Sequence, residues 1–137
     1  MKLSRLEKKM IEEYWKNIDD YRKKQKFRYW EITEAKEVDE NTGGGRSSNI
    51  SDPTARKAMI ISKDIQYQHL KRIVDAVERT YEELDDDMKK IIHMRYWNDV
   101  EIMQWEDIAL LTERSNRTIY RLRDVLIKKT ASRIGWM

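Results

Sequence analysis

Apolar residues recur every three or four positions through most of the chain, the rhythm of amphipathic helices. Leu3, Leu6, Met10, Tyr14, Ile18 and Tyr21 keep this step, and Ile11 and Trp15 widen the stripe. They predict one long helix or two shorter ones from residue 3 to about residue 37. The pattern weakens through RKKQKFR, residues 22–28, where five of seven residues are basic. Such a run could touch phosphate, but the bland reading, a solvated helix face, is preferred because basic runs on helices are common and not base-specific. Phe27, Tyr29, Trp30 and Ile32 then restore apolar content.

The next stretch, DENTGGGRSSNISD over residues 39–52, reads as a flexible linker, since Gly and Ser dominate and only Ile50 is apolar. Its GGGRSS lacks the lysine, the spacing and the preceding strand of a phosphate-binding loop, so it is not read as a nucleotide site. Asp52 and Pro53 make a clean helix start, one as cap and the other at a first position that needs no amide donor. A single amphipathic helix is predicted over 53–83, with Ala58, Ile61, Ile65, Ile73, Val77 and Tyr81 near one face and Leu70 and Val74 broadening it. Asp85, Asp86 and Asp87 open a further helix with Met88, Ile91, Ile92 and Tyr96 apolar. Capping and the helix dipole explain this aspartate run better than a metal site does.

The most informative stretch is WEDIALLTERSNRTIYRLR, residues 105–123. Ile108, Ala109 and Leu111 give a short apolar element. Ser115 then caps a second helix in which Ile119, Leu122 and Leu126 share a face. Asn116, Arg117, Tyr120, Arg121 and Asp124 are left on the other face. A helix-turn-helix places such a face in the DNA major groove. The fold class expected is therefore all-α: long N-terminal amphipathic helices followed by a helix-turn-helix. The expected divisions are an N-terminal helical region (1–38), the linker (39–52), a long helix (53–83) and a helix-turn-helix domain (84–137).

Composition sharpens this picture. At 137 residues the chain suits one domain, or a small domain with an extension. Charged residues make up 39%, yet five Trp and seven Tyr argue against wholesale disorder. The net charge of +3 hides a step: residues 81–113 carry ten acidic against three basic residues, and 114–133 carry seven basic against one acidic. A basic C-terminal face on acidic supporting helices suits contact with phosphate. With no cysteine, disulfides and thiolate metal sites are excluded, which fits a reducing cytoplasm. No apolar run reaches membrane-spanning length and no signal-peptide core stands at the N-terminus, so no membrane role is expected. His69 and His93 sit on separate helices with no ligand motif, and no nucleophile, base and orienting group stand together. Neither catalysis nor a cofactor is expected.

The block 84–130 (LDDDMKKIIHMRYW, a loop through Asn98 and Asp99, then WEDIALLTERSNRTIYRLR) resembles region 4 of bacterial sigma factors. With GGGRSSNISDPTARKA at 43–58, the whole chain resembles the RinA/ArpU family of phage transcriptional activators. That resemblance implies activation of phage late genes for packaging and morphogenesis, in the cytoplasm of a bacterial host and with host RNA polymerase. In this reading Ser115 caps the recognition helix, and Asn116, Arg117, Tyr120 and Arg121 face double-stranded DNA. Arg117 and Arg121 are the candidates for bidentate guanine contacts. Thr118, Arg123 and Lys128 hold phosphates and set register. Glu101, Glu106 and Asp107 or the preceding helices are candidate polymerase contacts, and the N-terminal helices offer a homodimer interface. The alternative reading is a DNA-packaging recognition subunit like a phage small terminase, which also combines a helix-turn-helix with oligomerising helices. One departure from the pattern concerns the turn. Turns of this type usually read Leu-Gly-Ile before the capping serine, where this chain has Thr112, Glu113 and Arg114. Glutamate is strained at positive φ, so either a longer turn or another residue in that role is expected.

Overall fold

The computed structural model describes residues 2–35 and 52–136, and the fold among them is all-α. The helices are α1 (Arg5–Lys16), α2 (Ile18–Trp30), α3 (Pro53–Lys63), α4 (Ile65–Glu82), α5 (Asp86–Tyr96), α6 (Trp105–Leu111) and α7 (Asn116–Ile134), with a π-helical turn at Glu31–Ala35 after α2. The expected linker, Asp52 apart, lies outside the described residues. None of the described helices is long and apolar enough to cross a membrane.

Local chemistry sets most of the helix ends. Ser4 and Glu7 form a reciprocal capping box at the start of α1, the Glu7 amide donating to Ser4 Oγ at 3.1 Å and the Ser4 amide to Glu7 Oε1 at 2.8 Å. Asp52 accepts from the Thr54 amide ahead of Pro53, and Asp85 accepts from the Met88 amide at 2.8 Å, as the sequence leads one to expect. The helix expected over 53–83 is in fact two. Asp64 adopts an extended conformation (φ −77°, ψ 112°) and its carboxylate accepts from the Tyr67 amide, so an acidic cap interrupts the run. Gln68 reaches back to the Ile61 carbonyl at 2.9 Å and satisfies an acceptor that the break releases.

The chain divides into two compact units, Met1–Ile18 with Asp75–Met137, and Asp19–Val74. The first unit therefore joins α1 to the C-terminal helices, which differs from the separate N-terminal region expected over 1–38. Its centre is Trp15, with no exposed surface. The indole Nε1 donates to Thr130 Oγ1 on α7 at 3.0 Å, and the Thr130 hydroxyl donates to the Leu126 carbonyl at 2.9 Å. The Trp15 carbonyl accepts from Trp97 Nε1 at 2.8 Å. The Trp15 ring stacks on Tyr96 and on Trp97, each at 6.2 Å between centroids. Tyr96 completes the cluster by donating its hydroxyl to Glu12 at 2.8 Å, and burial pushes that hydroxyl well above the ordinary tyrosine range. Around this hub α1 and α6 both pack on α7, and α5 packs on α6.

The buried face of α1 is Ile11, Tyr14 and Trp15, followed by Ile18 at the start of α2, whereas Leu6 and Met10 of the expected stripe are exposed. Two overlapping stripes satisfy the same three-and-four spacing, and the one carrying Trp15 buries more apolar area. On α4 the buried residues are Leu70, Ile73, Val74, Ala76, Val77 and Thr80, while Ile65 is 86% exposed because the break at Asp64 resets the helical phase.

In the second unit the Asp64 cap also anchors α2. Arg28 grips its carboxylate with two hydrogen bonds, Nε at 3.0 Å and Nη2 at 2.6 Å, and bonds Glu31 at 3.4 Å. The paired carboxylate raises the guanidinium pKa further. Lys57 on α3 meets Glu34 of the π-helical turn at 2.9 Å. Within that turn Thr33 donates to the Tyr29 carbonyl at 2.6 Å, filling an acceptor where the helical ladder shifts register.

Thr130→Val keeps the side-chain volume close but removes the acceptor of the buried Trp15 Nε1. The orphaned donor should cost about 1–3 kcal/mol. A urea titration should show a lower midpoint with an unchanged slope. An unchanged midpoint would mean that the hydrogen bond contributes nothing net.

Candidate nucleic-acid interface

The arginine-bearing helix α7 is set by the turn that precedes it. α6 ends at Leu111, and Glu113 follows with φ +57°. The Glu113 amide donates to the Leu110 carbonyl at 3.3 Å and the Arg114 amide to the Ala109 carbonyl at 2.9 Å, the paired bonds of a Schellman ending. Thr112 adds a hydroxyl bond to the Ile108 carbonyl at 2.7 Å. Neither expectation for this turn holds, because Glu113 itself takes the left-handed position. A non-glycine residue there costs about 1–2 kcal/mol, a penalty the closed turn offsets. Glycine does the same work at the far end of α7, where Gly135 has φ +101° and the Trp136 amide reaches the Ala131 carbonyl. Ser115 starts α7 as expected, its Oγ accepting from the Thr118 amide at 3.1 Å.

Ile119, Leu126, Ile127, Thr130, Ala131 and Ile134 turn inward on α7, and Leu122 is half-buried. The eight residues singled out in the sequence separate into three groups. Asn116, Arg117, Arg121 and Lys128 are exposed and carry no partner among the described residues. Ser115 and Thr118 are exposed but engaged in the cap, with the Ser115 hydroxyl donating to Thr118 Oγ1 at 2.9 Å. Tyr120 and Arg123 are not free in the manner expected. The Tyr120 hydroxyl donates to the Glu106 carboxylate on α6. Arg123 lies over the Tyr120 ring at 4.9 Å and pairs with Asp124 at 3.1 Å. Its Nε is buried without an acceptor among the described residues. Tyr120 clasps α6 to α7, Arg123 is held within α7, and the arginines at 117 and 121, one helical turn apart, are left as exposed donors. The clasp reads in the titration of its members too. The tyrosine hydrogen bond holds the Glu106 carboxyl below the usual carboxylate range, and the same bond raises the Tyr120 hydroxyl.

Sequence reasoning missed a second arginine that organises this region. Arg95 donates Nη1 to the Met103 carbonyl at 3.0 Å and lies 5.2 Å over the Trp105 ring, bracing the loop between α5 and α6. Neither contact follows a sequence spacing rule, so no local signal marks it. His93, which has no ligand motif in the sequence, is exposed; its Nε2 lies 3.0 Å from the Tyr81 hydroxyl and its ring stands edge-on to Trp97. At the base of α7, Arg133 bonds Glu83 at 2.5 and 2.7 Å and Thr80 at 3.1 Å, which holds Glu83 below the usual carboxylate range.

The outward face of α6 has a different character. Leu110 and Leu111 are 80% and 63% exposed, so Leu111 does not join Ile108 and Ala109 in the core as expected. Glu106 and Asp107 are exposed on the same short helix, Glu101 is exposed in the loop before it, and Asp107 accepts from the Gln104 amide at 3.4 Å. One helix of the pair thus presents cations and the other carboxylates with apolar side chains. Among the described residues no three His, Asp or Glu side chains are grouped to hold a metal ion.

The chain belongs to the family DUF722, described as a protein of unknown function, whose model matches residues 2–132. No curated protein and no solved structure matches it.

Glu113→Gly should stabilise the fold by about 0.5–1 kcal/mol, the relief of a left-handed non-glycine residue less the extra chain entropy of glycine. A raised thermal midpoint checks this, and a lowered one would show that the Glu113 side chain contributes more than its backbone costs. Tyr120→Phe should return the Glu106 carboxyl toward the ordinary range, an upward move readable by NMR titration. Stability that this clasp lends is present above the ordinary carboxylate pKa and lost as pH falls through the lowered folded value, and the variant should lack that acid dependence.

Proposed function

We propose that the protein is a sequence-specific DNA-binding transcriptional regulator, an activator of phage late genes that works with host RNA polymerase. The observation that carries this reading is the placement of Arg117 and Arg121. They are exposed, free of partners among the described residues and one turn apart near the start of a helix fixed at both ends. Helices presented this way read base edges in the major groove from their N-terminal half. Arg117 and Arg121 suit the O6 and N7 acceptors of guanine, and Asn116 suits adenine. Lys128, two turns beyond Arg121, and the Thr118 hydroxyl suit phosphates. Tyr120 acts as a positioning residue, since its bond to Glu106 fixes α7 on α6, and Arg123 lies over the Tyr120 ring behind it. The resemblance to RinA/ArpU activators and to sigma region 4 supports the direction of control.

The polymerase-facing surface in this reading is the outer side of α6, where Leu110 and Leu111 stand beside Asp107. Carboxylates there are unsuited to the phosphate backbone, so that side is left for a protein partner. Glu106 is less suited to this role than the sequence suggests, because Tyr120 already holds it.

The test is recovery of fragments of source genomic DNA on the purified protein at about 150 mM salt, followed by sequencing. Enrichment of one short site upstream of a promoter is expected. Enrichment inside terminase genes with no promoter nearby would favour the packaging subunit instead. On the recovered site, Arg121→Ala should cost about 1–3 kcal/mol and relax specificity at one base position. Lys128→Ala should weaken all sequences alike. With four or five phosphates neutralised, the logarithm of affinity should fall against the logarithm of salt with a slope of about −4, and a flat response would sink the groove-binding model.

A further inference from the structure

The second unit carries a surface that its own fold leaves unused. Along α2, Lys23, Phe27 and Trp30 follow at i, i+4 and i+7 and share one face, with Lys24 and Lys26 flanking it. All five are exposed, Phe27 at 60% and Trp30 at 52%. The two rings lie 6.0 Å apart with planes inclined at 34°, and both stay largely exposed instead of filling a core. Beside Phe27 an open groove of about 390 Å³ is lined by Lys23, Lys24, Arg28, Glu31, Gln66 and Leu70, and its one carboxylate, Glu31, is paired with Arg28.

The charge on this face is unbalanced because most nearby carboxylates are spent elsewhere. Asp19 pairs with Arg22 at 2.7 Å, Asp64 and Glu31 with Arg28, and Glu34 with Lys57. Lys23 and Lys26 have no partner among the described residues, and Lys24 lies 5.1 Å from the Tyr21 ring. Asp20, one turn before Lys23 and Lys24, offsets one of these charges. Pairing α2 with α2 of a second copy would set lysines against lysines, so the surface is built for a polyanion and not for itself. Two flat aromatic faces among lysines match a chain of bases joined by phosphates, because every base offers a π-face and every linkage a negative charge.

We propose that this face of α2 binds single-stranded nucleic acid, with Phe27 and Trp30 stacking on bases and Lys23, Lys24 and Lys26 neutralising phosphates. The site is independent of the α7 arginines. It calls for unpaired bases, whereas α7 is proposed to read a duplex.

Fluorescence anisotropy of a labelled 20-nucleotide thymidine oligomer, titrated with the full chain, tests it. The wild type should bind the oligomer, and Phe27→Ala with Trp30→Ala should weaken binding at least tenfold, as lost stacking predicts. Phe27→Tyr with Trp30→Tyr should restore most of the affinity, which separates stacking from misfolding. Lys23→Glu, Lys24→Glu and Lys26→Glu together should abolish binding. Arg117→Ala with Arg121→Ala should leave it unchanged, so failure of the duplex-reading proposal does not touch this one. No binding by the wild type would overturn the proposal. So would equal binding by the alanine pair, or displacement of the oligomer by an acidic, aromatic-free peptide as effectively as by unlabelled oligomer. The last result would assign the face to an acidic protein partner.

Discussion

The hydrogen bond from Trp15 to Thr130 links side chains 115 residues apart, and the first unit is built around it. A fully buried indole must place its N–H on an acceptor or lose more than a neutral hydrogen bond returns. Thr130 can serve because its own hydrogen is already directed to the Leu126 carbonyl, leaving a lone pair for the indole. The same tryptophan accepts from Trp97 through its carbonyl and stacks on Tyr96 and Trp97, so one residue of α1 fixes both α5 and α7. The orientation of α7 thus depends on a helix from the opposite end of the chain. An isolated C-terminal fragment would lack that support and leave part of its aromatic cluster without a partner.

On α7 itself the chemistry is divided by face and by task. The inner face packs, Ser115 and Gly135 close the two ends, and Tyr120, with Arg123 over its ring, ties the helix to α6. Arg117 and Arg121 are left with nothing to do inside the fold. Such division matters for recognition, since a base-reading arginine must keep its donors free while the helix carrying it stays fixed. A tyrosine that looks in the sequence like one more groove contact is more useful in the structure as the fixing, and the arginine expected to hold phosphate lies over its ring.

Charge is distributed on the same logic in both units. Acidic side chains pair inward or cap helices, as with Glu12, Glu83, Asp64 and Asp85, and cations without partners collect on outward faces. The exposed leucines of α6 and the exposed Phe27 and Trp30 of α2 are exceptions to burial of a kind that marks contact surfaces. They differ in company, with carboxylates beside the leucines and lysines beside the aromatic rings, and so they point to partners of opposite charge.

The sequence by itself determined the all-α class, the capped starts at Asp52, Asp85 and Ser115, and the inward face of α7, because these rest on interactions within one or two helical turns. It also marked Arg117 and Arg121, since the apolar positions Ile119 and Leu126 fix which way the rest of that helix points. Only tertiary structure decided the other features. The spacing of α1 fits two stripes equally, and packing of Trp15 against Tyr96, Trp97 and Thr130 chose between them. The anchoring of the Asp64 cap to α2 comes from Arg28, which lies 36 residues away in sequence. The left-handed Glu113 is held by turn closure, where local preference alone would favour glycine. Tyr120 lies at the edge of the outer face, and a carboxylate on the neighbouring helix drew it into the clasp, while Arg123 falls four residues from both Ile119 and Ile127 on the inward side with its Nε buried.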